Sequence, residues 1–493
     1  MADSSELRKD SKIVIIGAGV FGLSTTLHLL QRGYTNIHLF DRQLFDQNHY
    51  DETKGADGAS CDVNKIVRAS YGSAKLFQDL AFKAMPEWKK WNTQLAATSK
   101  EDLPTSLDPN IPLWHNCGFL RIGSSPHGLE SEEQETQQNF PSDLKHTQYR
   151  ISDHRRIEEA VRAGIPFSKL HPFGRLERGL PTDGILDTTA GFVLASRACA
   201  WALHLVLQSG HVIPHLGPDN ALQSFMTTGN RITAIVTSGL ERHQADFVVV
   251  ACGGWTPSLI PQVDRLLETT SGSVLSVQLP HDRHDLWDKY SEENFPVWSW
   301  NMGSYTPHTS VGGLYGLPRT PEGVVKVAFR GAKWTSYTRH SSSGGGGGQL
   351  LSFPQTDAVT VPAEAMRVIR TFVEENLPDL LDLDLNNIRL CWYTDSVDNT
   401  FLIDHVPDVE GLLVASGGSG HGFKFLPVLG EHIVDVMENK DTEYSRLFQW
   451  RDVPDGQRNG LEDGPQGWRT LDKQRMAGNK EWREGLEARS SRL

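Results

Sequence analysis

The sequence predicts an α/β fold divided between two domains. A glycine-rich turn joins a short apolar run to a helix-period segment near residue 17. At 493 residues the chain exceeds what one hydrophobic core organises. Strand-like runs recur through the middle and again near residue 390, far from the opening turn. With 38% hydrophobic and 22% charged residues, the composition is that of an ordinary globular protein with enough apolar bulk for both cores.

Residues 12–16 (KIVII) suit a buried parallel strand, and GAGVFG follows at once. Leu23, Leu27 and Leu30 recur at helical spacing, and Gly33 is placed to end that helix. A second strand, 37–40, delivers Asp41 and Arg42. In this order Gly17 permits the tight turn, Gly19 lets the backbone approach a pyrophosphate, and Gly22 allows close helix–strand packing. Ala18, Val20 and Phe21 complete the turn, and Asp41 stands where an acid holds ribose hydroxyls. The unit reads as a Rossmann-type dinucleotide site, although the turn alone does not separate FAD from NAD.

Further along, 51–60 reads as a loop and 76–95 as a helix. Residues 124–160, with EEQETQQ, read as a solvated excursion. A helix over 191–209 leads to a strand at 211–215, and strands are expected at 231–236 and 246–251. The middle carries strand signals at 273–279 and 324–329, and a flexible glycine run at 341–348. A helix is expected over 362–376, strands at 388–393 and 412–415, and another helix leading from 417–422 to 437. Beyond 446 the polar composition suggests a tail on the surface or partly disordered.

A net charge of −13 argues against a nucleic-acid binder. Five scattered cysteines without CxxC spacing read as free thiols, with no metal site. No apolar run is long enough to cross a bilayer, and the first residues lack a secretory pattern. Ser491-Arg492-Leu493 resembles the peroxisomal address Ser-Lys-Leu, so a peroxisomal import receptor is an expected partner.

The stretches VNKIVRASYG, VVVACGGWTP, YGLP with VVKVAF, CWYTDSVDNTFLIDHVPD and SGGSGHGFKFLPVLGEHI occur in that order. Together they resemble the FAD-dependent amine oxidases of the D-amino-acid oxidase superfamily, in the branch of monomeric sarcosine, pipecolate, saccharopine and fructosyl-amino-acid oxidases. The resemblance implies a two-domain flavoprotein, with a Rossmann-type FAD-binding domain and a substrate domain on a mixed or antiparallel sheet. The expected FAD-binding segments are 11–90, 186–261 and 386–445. Residues 91–185 and 262–385 form the expected substrate domain, and 446–493 the tail.

It also implies roles for single residues. Cys391 stands where the branch attaches its flavin by a thioether. Lys326 stands where a lysine beside flavin N5 promotes reaction with oxygen. Arg68 and Lys424 occupy the positions that hold the substrate carboxylate, and Tyr315 and Arg330 complete the substrate contacts. Asn64 and Lys65 are expected against the flavin ring. Gly420, Gly422 and Phe423 are expected around its pyrimidine end, and the Val212 backbone against adenine. His421 is expected to be structural. Arg330 is a departure, since monomeric sarcosine oxidases carry histidine there, and implies a reshaped pocket or a second anionic contact.

The implied reaction oxidises a C–N bond of a secondary amine or N-methyl amino acid, giving an imine and hydrogen peroxide, with O2 as the other substrate. The imine is then hydrolysed or closes a ring. A deglycating fructosyl-amino-acid oxidase shares these motifs. An NAD-dependent dehydrogenase shares only the opening turn, and a non-catalytic flavoprotein would share the fold.

Overall fold

The computed structural model describes residues 7–124, 128–340, 349–356, 358–452 and 461–486. The glycine run at 341–348 and Ser491-Arg492-Leu493 lie outside the described residues. A six-stranded sheet has the order Leu402–His405, Leu412–Ser416, Phe247–Val250, Ile13–Ile16, Ile37–Asp41 and Val212–Leu216. All its neighbours are parallel except the first pair. Ile13–Ile16 is buried along its whole length, as expected of a central parallel strand covered on both faces. The helix Val20–Gln31 crosses Leu429–Met437 so closely that a Cβ on Gly430 would lie 1.8 Å from the Ser24 carbonyl oxygen.

A second, eight-stranded sheet has its own core. Its order is Leu385–Ser396, Leu267–Gln278, Val324–Trp334, Leu314–Leu317, Val297–Trp300, Phe119–Gly123, Asp183–Asp187 and Gln148–Arg150. Only the contact of Val297–Trp300 with Phe119–Gly123 is parallel. Helix Ala363–Asn376 buries Phe372 in this core, stacked on Trp298. The fold is therefore mixed α/β, built on several sheets.

Four expectations change. The boundary at 386 falls where Leu385–Ser396 begins, and that strand pairs with Leu267–Gln278 in the second sheet, Cys391 opposite Gly272. The helix expected from 191 starts only at Ala195. Gly191–Val193 instead pairs with Lys65–Val67, because Gly191 lets the His115 carbonyl approach where a Cβ would stand 2.0 Å from it. Of the segment 124–160, the described residues 128–160 are built into the fold: they carry helix Ser131–Asn139, strand Gln148–Arg150, the start of helix His154–Arg162, and the buried Phe140 and Ala160.

In the tail, Met476–Ala477 pairs with Val361–Pro362, and Trp482 is 1% exposed with its indole N–H donating to the Leu383 carbonyl. A few apolar anchors spaced among charges seat that polar segment. Among the described residues, no helix is long and apolar enough to cross a membrane.

Candidate active site

The glycine turn is packed as its spacing predicts. Gly17 has φ +105°, and a Cβ there would lie 2.4 Å from the Ala251 carbonyl oxygen, so both conformation and space demand glycine. A Cβ on Gly22 would lie 1.7 Å from the Gly17 carbonyl oxygen. Asp41 accepts the Ala18 N–H at 2.7 Å and the Gln43 N–H at 2.9 Å. Burial pushes its carboxyl upward against these bonds. Arg42 pairs with Asp57 at 2.6 Å and lies 4.2 Å from the centre of the Trp255 ring.

From this turn a cavity of about 1240 Å³ runs between the two sheets to the end of Lys65–Val67. Gly17, Gly19, Val20, Phe21, Asp41 and Arg42 line one end, and Lys65, Arg68, Tyr315, Arg330, Cys391 and Lys424 the other, with Gly420, Gly422 and Phe423 along the wall. The Lys65 ammonium lies 3.7 Å from the Cys391 sulfur and 2.6 Å from Asp62. Asp62 also receives Lys326, 3.1 Å from each carboxylate oxygen. Burial alone would raise the Asp62 carboxyl, but the two ammoniums hold it well below the usual range. Lys326 is fully buried, and burial pushes its ammonium downward against the pull of Asp62.

Three basic side chains meet near the far end: Arg68, Lys424 and Arg330. Arg330 donates to the Ser419 and Gly420 carbonyls at 3.2 and 3.3 Å, and Arg68 donates to the Ser70 carbonyl and lies 4.6 Å from the Tyr71 ring centre. Lys424 donates to the Tyr71 hydroxyl at 2.9 Å and the His421 carbonyl at 2.6 Å. Among the described residues, no carboxylate lies within ion-pair distance of any of the three. Trp88, on helix Lys75–Ala96, fixes the segment by donating to the Lys424 carbonyl at 2.8 Å.

The model of the DAO family, FAD dependent oxidoreductase, matches residues 12–436. The chain belongs to this family of FAD-dependent oxidoreductases. It is 25% identical to L-saccharopine oxidase of Schizosaccharomyces pombe over 464 residues, 89% of this chain and 93% of that protein. It is 25% identical to human peroxisomal sarcosine oxidase over 430 residues, 86% and 91% of the two chains. A solved fructosyl peptide oxidase, a thermally stable mutant, shares the fold with a TM-score of 0.76 at 24% identity, over 95% of this chain and 99% of that one.

The residues present fit FAD. The bare backbone at Gly17 and Gly19 opens on the cavity, and the far end offers the cations and the Cys391 thiol to a ring system. Asn64 is fully buried beside Lys65, outside the lining, and neither of its amide atoms has a hydrogen-bond partner among the described residues. Five of the expected residues do not border the cavity: Ala18, Gly22, Asn64, Val212 and Lys326. Ala18 and Gly22 act through packing and the bond to Asp41. Val212 is buried in the first core, on the strand beside Ile37, and the chain reaches the cavity only at Asn220, Ala221 and Leu222. Lys326 turns to Asp62 instead of facing the cavity.

Other contributors were not anticipated. Ser60 accepts the Val20 N–H at 3.1 Å, on the face of the turn that lines the cavity. Asp62 sits in CDVNK, where nothing in the local pattern marks it as the partner of two lysines. Glu130, Glu132 and Glu133 border the cavity, and the buried Arg121 pairs with Glu133 at 2.6 Å. An arginine inside the apolar run FLRI at 119–122 was the available signal that an acid from a neighbouring segment folds back on it.

Proposed function

We propose that the chain oxidises a C–N bond of a secondary amine or N-substituted amino acid, with O2 as acceptor, giving an imine and hydrogen peroxide. The observation that carries this reading is the trio Arg68, Lys424 and Arg330, with no described carboxylate within ion-pair distance, in the same cavity as the glycine turn and Cys391. Such a trio suits an anionic group on the substrate, and an Arg fork matches a carboxylate. Bound FAD supplies the hydride acceptor and the route for electrons to oxygen. Arg68 and Lys424 hold the carboxylate, and Tyr315 and Arg330 shape the space beside it.

The thiol of Cys391, with the Lys65 ammonium 3.7 Å from its sulfur, would hold the cofactor covalently. Lys326, paired with Asp62 outside the cavity lining, would supply the positive charge that supports oxygen reactivity when FAD is bound. The unit that binds FAD, of Rossmann type, comprises 11–90, 186–261 and 397–445, and the second sheet organises the substrate domain. The reading extends to peroxisomal import through Ser491-Arg492-Leu493, supported by its likeness to Ser-Lys-Leu; a fluorescent fusion with and without the tripeptide tests it.

Acid precipitation of the purified protein tests the cofactor: yellow colour stays in the pellet, and Cys391→Ser moves it to the supernatant. A peroxide-coupled screen of sarcosine, pipecolate, saccharopine, fructosyl-valine and N-methylated aromatic amino acids tests the substrate class. A colourless native protein, or one yielding no peroxide with any secondary amine, refutes the reading.

A further inference from the structure

The bonds around Lys424 have a fixed direction. The Nε2 of His421 lies 3.0 Å from the Asn399 carbonyl oxygen, which only accepts, so Nε2 carries the ring proton. Its Nδ1 is then an acceptor and takes the Tyr71 hydroxyl proton at 3.0 Å. With that proton committed, the Tyr71 oxygen accepts from Lys424 at 2.9 Å. A second Lys424 hydrogen goes to the His421 carbonyl at 2.6 Å. One position on the nitrogen is left for the cavity that Lys424 lines.

We propose that this position is a lone pair in the free enzyme, and that Lys424 takes the proton of the substrate's ammonium as the substrate carboxylate docks. The inference rests on the carboxylate-binding reading above. Lys424 is 3% exposed. The charged groups facing it are Arg68, beside Tyr71, and Arg330, from Val324–Trp334; no described carboxylate lies within ion-pair distance of Lys424, and of these groups Asp395 acts only on Arg330. The rings of Phe425 and Tyr71, 4.9 and 5.3 Å from the nitrogen, offset only part of the burial. Burial first, then the two guanidiniums, push the Lys424 ammonium well below its ordinary range, and burial first, with the neighbouring basic groups, pushes His421 down as well.

An amino acid arrives at neutral pH with a protonated nitrogen, from which hydride cannot leave. Its carboxylate adds the negative charge that the trio lacks, so the lysine becomes basic as the substrate seats. The N–H bond of the substrate breaks, an N–H bond forms at Nζ, and the freed electron pair stays on the substrate nitrogen. No net charge is gained or lost in the exchange. The bound state then has an ammonium against the carboxylate and a neutral amine ready to be oxidised. When the product carboxylate leaves, Lys424 releases the proton.

Carboxylates without a basic nitrogen isolate the step, because they must draw the proton from solvent. Methoxyacetate and benzoate are titrated into the holoenzyme, followed by flavin absorbance between pH 6 and 9 and by calorimetry in phosphate and Tris. The wild type takes up close to one proton per bound anion at pH 8, and its affinity falls about tenfold per pH unit there. Lys424→Arg, charged throughout, binds without proton uptake or pH dependence, and Lys424→Met binds weakly without uptake. Binding to the wild type without uptake, or uptake that survives in Lys424→Arg, overturns the proposal. Failure of both anions to bind defeats the carboxylate reading itself, and the inference with it.

Discussion

Replacing Asp62 by Asn removes the only described carboxylate that answers Lys326 and Lys65 together. Asp62 is 1% exposed and Lys326 fully buried, so water replaces little of what is lost. The least costly relief is loss of the Lys326 proton, since burial already pushes that ammonium below 10.5 and Asp62 is its chief support. Holding lysine neutral costs about 1.4 kcal/mol for each pH unit below its ordinary value, hence about 5 kcal/mol at pH 7 and about 2 at pH 9. The first figure agrees with the roughly 3–5 kcal/mol for breaking a buried ion pair.

The sign follows from linkage. With Lys326 neutral, the native variant binds one proton fewer than its unfolded chain, so its stability rises by about 1.4 kcal/mol per pH unit. The contribution of Lys65, whose ammonium Asp62 raises against burial, is fully present below 10.5 and does not vary in this window. Urea unfolding followed by tryptophan fluorescence at pH 7, 8 and 9 therefore shows a deficit that shrinks as pH rises. A deficit below about 1 kcal/mol at pH 7, or one constant to pH 9, would refute the buried network.

Arg68→Met removes a charge-assisted bond worth about 1.5–3 kcal/mol, so KM for amino-acid substrates rises about 10- to 150-fold with a smaller change in kcat. An unchanged KM in the peroxide assay withdraws the carboxylate assignment. Trp482→Ala, which empties a buried site in the tail, lowers stability by about 3–5 kcal/mol in urea titrations; a loss under about 1 kcal/mol would mean the tail adds nothing to the second core. Burial pushes His38 and His215 down to about 4 each, and their rings share a 2.9 Å hydrogen bond. Both are neutral in the native state while the unfolded chain protonates below 6.5, so stability falls between pH 6.5 and 4 and His38→Gln lessens the fall. Equal pH dependence in variant and wild type counts against that origin.

What the sequence reveals here depends on how local the cause is. Gly17, Gly19, Gly22 and Asp41 are legible because strand, turn and helix are neighbours in the chain and each glycine answers a steric demand within one turn. Cys391, Arg68 and Lys424 are legible only through resemblance to known oxidases, since no spacing relates positions more than 300 residues apart. Val212, expected to meet adenine through its backbone, has its side chain in the core, and the chain next lines the cavity after Gly217, where φ is +111° and the strand has ended.

The polar run at 131–139 is harder still, because its composition is that of a solvated helix. Helix Ser131–Asn139 is held by Arg121–Glu133 and by the Thr136 hydroxyl, which accepts the Gly72 N–H at 3.2 Å. Both bonds join it to segments that already line the cavity. A helix retained by polar contacts leaves no apolar stripe to read, yet it brings Glu132 and Glu133 to the cavity wall.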